Sequence, residues 1–228
     1  MRCASLPLGV DRPAPCRAAL LSLLRTAHEA LAHAGVLHWL DFGTLLGALR
    51  ERSIIAHTND AEIGSLFTSK GDILALSAAL LRCGVEMRNM AHSNDRNGVG
   101  VVDYVELVDL RHISEHGPEV KLDISLRTFL WLDAGEVGDE PGAARQRVLA
   151  DPTDTYANTA RTAFSAAQLL PLRRCELGGV GFPCPAEGEA LLRRYYGEDW
   201  RKVRRDLHVA NMAAKERQRG FDAVRSEL

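Results

Sequence analysis

Residues 39–64 read WLDFGTLLGALRERSIIAHTNDAEIG. A short apolar run from Val36 to Phe42 has the look of a strand, Gly43 and Thr44 follow, and LLGALRE opens a helix. DAEIGSLF then reads as a second short strand. Side chains alternate faces along a strand, so Asp60 and Glu62 point one way with Cα atoms about 6.5–7 Å apart, and Ala61 and Ile63 point to the core. Two carboxylates on one face repel each other, and a shared divalent cation removes that repulsion. Acids alternating with apolar residues are also what any half-exposed strand presents. The pair alone does not choose between a metal site and a solvated face.

Two further features bear on the choice. In VKLDISL, Asp123 stands between Leu122 and Ile124, and a carboxylate among apolar neighbours is costly unless paired or metal-bound. A strand ending in FGT before a helix that starts at Leu45 sets backbone N–H groups and the Thr44 hydroxyl at a helix N-terminus, where phosphate is favoured. A Gly-Thr turn, two alternating acids and a third acid on a later strand form the layout of a nucleotidyltransferase fold. In that layout the turn holds nucleotide phosphates and the acids hold Mg²⁺ or Mn²⁺.

The rest of the chain fits one central sheet. Leu20, Leu23, Leu24, Ala27 and Leu31 recur at helical spacing before Gly35, predicting a helix over 16–34. GDILALSAALLRCG (71–84) predicts another helix, with Asp72 near its start and Gly84 at its end. GVVDYVELVDLRHI (100–113) and VKLDISLRTFLWL (120–132) read as strands joined through the turn SEHGPE. DAGEVGDEPGAARQ reads as a loop, RRCELGGVGFPCP as a small hairpin, and AEGEALLRRYYGEDW as a helix ended by Gly197. The tail is helical and basic. The expected fold class is α+β, with a central mixed β-sheet flanked by helices and a helical C-terminal part. The expected organisation is a single domain over 1–228, its core about 16–135 and its C-terminal helical segment about 165–228; a boundary near 135–165 is the alternative.

Composition excludes several classes. The chain has 228 residues, 46% hydrophobic and 25% charged, with net charge −2. Such a balance gives no general pull toward nucleic acid. No apolar run approaches the roughly 20 residues that span a bilayer, and the start lacks the apolar core of a secretory signal. Five cysteines, Cys3, Cys16, Cys83, Cys175 and Cys184, form no CxxC pair. They read as reduced thiols of a cytosolic chain. Residues 193–219 hold nine Lys/Arg against four Asp/Glu, so a peripheral contact with an anionic surface stands beside a plain solvated face.

The quoted stretch resembles the signature of the LicD family, which includes phosphocholine transferases of bacterial surface glycans and fukutin-related proteins. The family pattern is an aromatic-apolar pair, GTLLG, an apolar residue, Arg, about five residues, then Pro-Trp-Asp-x-Asp-x-Asp-Ile-Gly. Gly43, Thr44, Leu45, Leu46, Gly47, Arg50, Ile55, Asp60, Ile63 and Gly64 match it. KLDISL resembles the family's later apolar-Asp-Ile motif, and LLPLRRCELGGVGFPCPAEGEALLRRYYGEDW (169–200) its closing segment. Thr58 and Glu62 stand where the family pattern has aspartates, and Ala56-His57 replace Pro-Trp.

The resemblance implies a metal-dependent transferase that moves a phospho-alcohol group, such as phosphocholine or ribitol phosphate, from a CDP-activated donor to a hydroxyl of a glycan or glycolipid. Asp60, Glu62 and Asp123 would hold the metal and do the chemistry. Gly43, Thr44 and Arg50 would bind the donor, and His57 is a second candidate for taking the hydroxyl proton. The implied location is cytoplasmic, with peripheral membrane contact as an option. Two other readings stay open: a catalytically weakened nucleotide- or glycan-binding relative, and a nucleotidyltransferase that uses a triphosphate.

Overall fold

Apolar residues three and four apart build the first element. In the computed structural model, which describes residues 10–58, 60–66, 70–94, 100–109, 123–128, 130–133, 147–150 and 164–203, helix α1 spans Ala14–His33. Prolines at its start suit the first turn, where no N–H is needed. Leu20, Leu23, Leu24, Ala27 and Leu31 are buried as one stripe. The helix stops at Gly35, whose φ of +70° favours glycine.

Strand β1 (Leu37–Leu40) follows, and Asp41 alone separates it from helix α2 (Phe42–Arg50). The helix therefore begins three residues before the expected Leu45, which puts Gly43 and Thr44 inside its first turn. Strand β2 is Asp60–Leu66, α3 is Lys70–Arg82, and β3, β4 and β5 are Val85–Asn94, Gly100–Asp109 and Asp123–Thr128. The five strands make one sheet in the order β1-β2-β5-β4-β3. Only the central β2–β5 pair is parallel, so the sheet is mixed. Parallel neighbours need a crossover, and α3, β3 and β4 supply it.

The expected strand 120–132 divides. Its first described part is β5, and its last is β6 (Leu130–Asp133), which pairs antiparallel with β7 (Arg147–Ala150) in a separate ribbon. The strand β3 was not expected. Most of the predicted 133–146 loop and the basic tail from 204 lie outside the described residues.

Helix α4 (Ala166–Leu169) opens on a capping box between Ser165 and Gln168. Strands β8 (Arg173–Leu177) and β9 (Val180–Cys184) form a hairpin whose two-residue loop is Gly178-Gly179. Both glycines have positive φ, as a type I′ turn demands. Helix α5 (Gly188–Tyr196) ends at Gly197 with φ +84°.

One core unites these pieces. Helix α1 packs across the sheet and on α3, while the hairpin and α5 pack on β1 and α2. Leu24, Leu31, Trp39, Ile63, Ile124, Phe182 and Leu192 belong to a single buried cluster. Each such side chain contributes about 1.5–3 kcal/mol relative to leaving it in water. Among the described residues, no helix is long and apolar enough to cross a membrane.

The cysteine expectation is corrected. Cys175 and Cys184 are joined by a disulfide with Cα atoms 5.9 Å apart, within bridging range, and Cys16 is also disulfide-bonded. The hairpin register explains the first. Cys175 faces Phe182 and Cys184 faces Arg173, so the cysteines are diagonal neighbours across the ladder. A search for CxxC spacing does not see this arrangement. Cys83 alone among the described cysteines is a free thiol.

Candidate active site

The glycines of the quoted stretch are close approaches of backbone. Trp39 pairs directly with Gly64 across β1–β2, and a Cβ on Gly64 would lie 2.4 Å from the Trp39 ring. A Cβ on Gly47 would lie 2.6 Å from the Ser53 carbonyl oxygen. Gly47 thus lets the 51–58 loop fold down against α2, and that loop delivers the acids to β2.

On β2 the alternation holds. Ala61 and Ile63 are fully buried, while Asp60 and Glu62 are half-buried on the other face. Each acid has a distinct partner. The Thr58 hydroxyl lies 2.7 Å from Asp60 Oδ1 and 3.2 Å from the Asp60 carbonyl oxygen. Its single proton is shared between them, which orients the Asp60 carboxylate. Thr58 is itself held by a turn, its N–H bonded to the Ile55 carbonyl.

Glu62 reaches the start of α2. Its Oε2 accepts the Thr44 N–H at 3.0 Å and the Thr44 hydroxyl at 2.8 Å. In return the Glu62 N–H donates to Thr44 Oγ1 at 2.7 Å. The Glu62 carboxylate also lies 3.2–3.3 Å from where a Cβ on Gly43 would be. A carboxylate from a strand thus caps the helix where its dipole is positive. Asp41 assists: its side chain accepts the Phe42 N–H, and its own N–H donates to the Glu62 carbonyl. Gly43, Thr44, Thr58 and Asp60 line one small pocket.

Asp123 is paired with Asp60 in the parallel β2–β5 register, so their Cα atoms are neighbours about 4.8 Å apart. The Asp123 side chain lies outside the described residues. Among those described, no three His, Cys, Asp or Glu side chains converge on one point. The donor set suits a hard cation: Asp60 and Glu62 offer carboxylate oxygens from one strand face. Two hydrogen bonds from Thr44 leave the Glu62 carboxylate with further acceptor capacity.

Arg50 is not brought to this cluster. It lies six residues past Thr44, about 9 Å along the axis at 1.5 Å per residue. Its guanidinium is bound to Glu51 Oε1 at 2.6 Å and to the Trp200 carbonyl oxygen at 3.4 Å. His57 is buried in the loop before β2.

Two residues near the cluster carried no signal in the sequence. Arg12 is 4% exposed, and its N–H donates to the Ala56 carbonyl oxygen. Burial lowers its pKa, while the negative charge of Asp60 acts to raise it. An arginine in an irregular leading segment thus lies in the field of a candidate site acid. Phe42, the first residue of α2, has φ +40° and stacks on Tyr195 of α5, ring centroids 4.6 Å apart.

The family model described as "LicD/FKTN/FKRP, nucleotidyltransferase domain" matches residues 35–112, which carry β1 through β4. Asp123 and α5 lie outside the match. Among solved structures, the chain is similar to "Crystal Structure of ANT(2")-Ia in complex with adenylyl-2"-tobramycin": 13% identity, 92% of this chain and 98% of that one covered, TM-score 0.43. It is also similar to the solution structure of the antibiotic-resistance factor ANT(2'')-Ia: 11% identity, 90% and 99% covered, TM-score 0.44. Both scores fall below one half. No curated protein matches the chain.

Proposed function

We propose, for a chain that belongs to the LicD family through residues 35–112, a metal-dependent transferase that moves a phospho-alcohol group from a CDP-activated donor to a hydroxyl of a glycan or related acceptor. The observation that carries the reading is the meeting of two features at one place. Asp60 and Glu62 share a face of β2, with Asp123 at the position paired with Asp60. That face abuts the first turn of α2 through the Thr44–Glu62 hydrogen bonds.

The reaction has a simple balance. An acceptor hydroxyl oxygen attacks the donor phosphorus that bears the alcohol, the bond from that phosphorus to CMP breaks, and CMP leaves. The hydroxyl proton passes to a base, for which the candidates are one of the three acids and His57. Asp60, Glu62 and Asp123 would hold Mg²⁺ or Mn²⁺. When bound, such an ion neutralises charge on the pyrophosphate. Thr58 fixes the direction of the Asp60 carboxylate. Gly43 and Thr44 would meet donor phosphates once Glu62 turns from Thr44, because both Thr44 donors are engaged by Glu62 in this structure. Arg50, bound to Glu51 and the Trp200 carbonyl, is better assigned to holding α2 and the closing segment together than to donor phosphate.

The test is Asp60→Ala and Asp123→Ala, assayed for metal-dependent CMP release from CDP-choline and CDP-ribitol, with Mn²⁺ binding followed by calorimetry. Loss of both in the variants is expected. A wild-type chain that binds neither Mn²⁺ nor a CDP donor ends the enzymatic reading and favours a non-catalytic relative. Pyrophosphate release from a triphosphate, with no CMP from the CDP donors, moves the assignment to nucleotidyl transfer.

A further inference from the structure

The turn from β1 into α2 is made by one residue, Asp41, and the helix opens on Phe42 with φ +40°. That left-handed conformation is disfavoured for a bulky aromatic residue and persists only where its surroundings hold it. Two contacts do so. The Asp41 carboxylate accepts the Phe42 N–H at 2.9 Å. On the other side, the Phe42 ring stacks on Tyr195 with ring planes 13° apart.

Tyr195 is fixed in its turn. It is 5% exposed, on the same helix as buried Leu191 and Leu192. Helix α5 seats tightly on α2: a Cβ on Gly188 would come within 3.0 Å of Leu49. Beyond the helix, Arg50 donates to the Trp200 carbonyl oxygen. The residue after Phe42 is Gly43, and the next is Thr44, whose N–H meets Glu62. The direction of that N–H follows from the backbone angles at Phe42 and Gly43 together.

We propose that Tyr195 is a positioning residue: by stacking on Phe42 it holds the strained start of α2, and so aims the Gly43-Thr44 turn at the acid-bearing face of β2. The proposal rests on the transferase reading for the use made of that turn. The positioning itself is a property of the ligand-free chain.

Amide hydrogen exchange by NMR on the metal-free protein tests it. In Tyr195→Leu, the Thr44 and Leu45 amides exchange roughly three- to tenfold faster, the worth of an aromatic pair expressed as a local opening. The Leu24 amide in α1 keeps its wild-type rate. Tyr195→Phe retains the ring and restores wild-type rates at Thr44 and Leu45. Unchanged rates at Thr44 and Leu45, or equal acceleration at Leu24, overturn the proposal. Should Tyr195→Leu fail to fold, Phe42→Leu removes the same stack from the other side and is read against the same amides. CDP-choline binding with Mn²⁺ is measured separately by calorimetry. Its absence in the wild type sinks the transferase reading, while the exchange rates still decide the positioning.

Discussion

Thr44 and Glu62, eighteen residues apart in sequence, are locked by three hydrogen bonds of 2.7, 2.8 and 3.0 Å. The Thr44 hydroxyl both donates to the Glu62 carboxylate and accepts the Glu62 N–H, so neither residue keeps its partners without the other. A helix cap held by an ionised acceptor is worth about 1–2 kcal/mol. Glu62→Ala and Thr44→Val should each lower the free energy of urea unfolding of the metal-free protein by about that much. The double variant should lose clearly less than the two combined, because each single change already breaks the lock. Additive losses would mean that the two side chains act independently.

Thr58 gives the sharpest contrast between an acid missing from the site and a hydroxyl with work of its own. Its hydroxyl donates to Asp60 Oδ1 at 2.7 Å. In Thr58→Asp a second carboxylate would face Asp60 at that distance, which is unfavourable without a cation between them. We expect a lower melting temperature in EDTA, tighter Mn²⁺ binding by calorimetry, and a larger gain in melting temperature on adding Mn²⁺ than the wild type shows. Thr58→Val, which removes the orienting donor, should weaken Mn²⁺ binding by about 10–100-fold. Mn²⁺ affinity unmoved in both variants would separate Thr58 from any metal site.

The parts of this fold that could be read from the sequence are those with a period or a turn. Helix α1 announced itself through Leu20, Leu24 and Leu31, the β8–β9 hairpin through Gly178-Gly179, and the end of α5 through Gly197. Strand β3 did not, for a physical reason. It is the outer strand of the sheet, with no strand among the described residues on its far side to demand an apolar run, and Glu86, Arg88, Asn89, His92 and Asn94 mask any alternation. At the site, alternation placed Asp60 and Glu62 on one face, and the β2–β5 register set Asp123 beside Asp60. What alternation cannot give is the side chain's destination. Glu62 has the reach to cap α2, Arg12 arrives from a distant segment, and Arg50 is drawn to Glu51 and Trp200. Apart from the Arg50–Glu51 pair of chain neighbours, each depends on tertiary contacts that no local pattern encodes.

The Cys175–Cys184 disulfide closes a hairpin that packs on β1 and α2. For a sequence separation of 9, the loop-entropy relation gives about 2.5 kcal/mol of stabilisation. The Cys175→Ser/Cys184→Ser double variant should therefore melt roughly 5–10 °C below the wild type under non-reducing conditions, given the usual scaling for a chain of this size. Equal melting temperatures would show that the hairpin is held by its core contacts, Leu177 and Phe182, alone. A bridge of this kind persists where thiols are oxidised, and it runs against the cytosolic reading of the cysteines.

His28 and His38 form a second polar pair, on α1 and β1. A carbonyl oxygen can only accept, so the 2.7 Å contact from His38 Nδ1 to the Val36 carbonyl puts the His38 proton on Nδ1. His38 Nε2 must then accept from His28 Nδ1–H, 2.7 Å away. Protonating His38 would set two N–H groups against each other as long as His28 keeps its proton on Nδ1. Both pKa values are lowered, first by burial. Glu29 pulls His28 back up, while at His38 the Val36 hydrogen bond raises the pKa and the charge of His28 lowers it further. Unfolded histidines take up protons near pH 6.5, the folded pair only at lower pH, so the unfolded state binds more protons in between. Stability is then complete above about pH 6.5 and falls as the pH drops below it toward the folded values. Urea unfolding followed from pH 8 to pH 5 should show this decline in the wild type and a shallower one in His38→Gln, which cannot take up the proton. Identical slopes in the two proteins would place the acid sensitivity elsewhere in the chain.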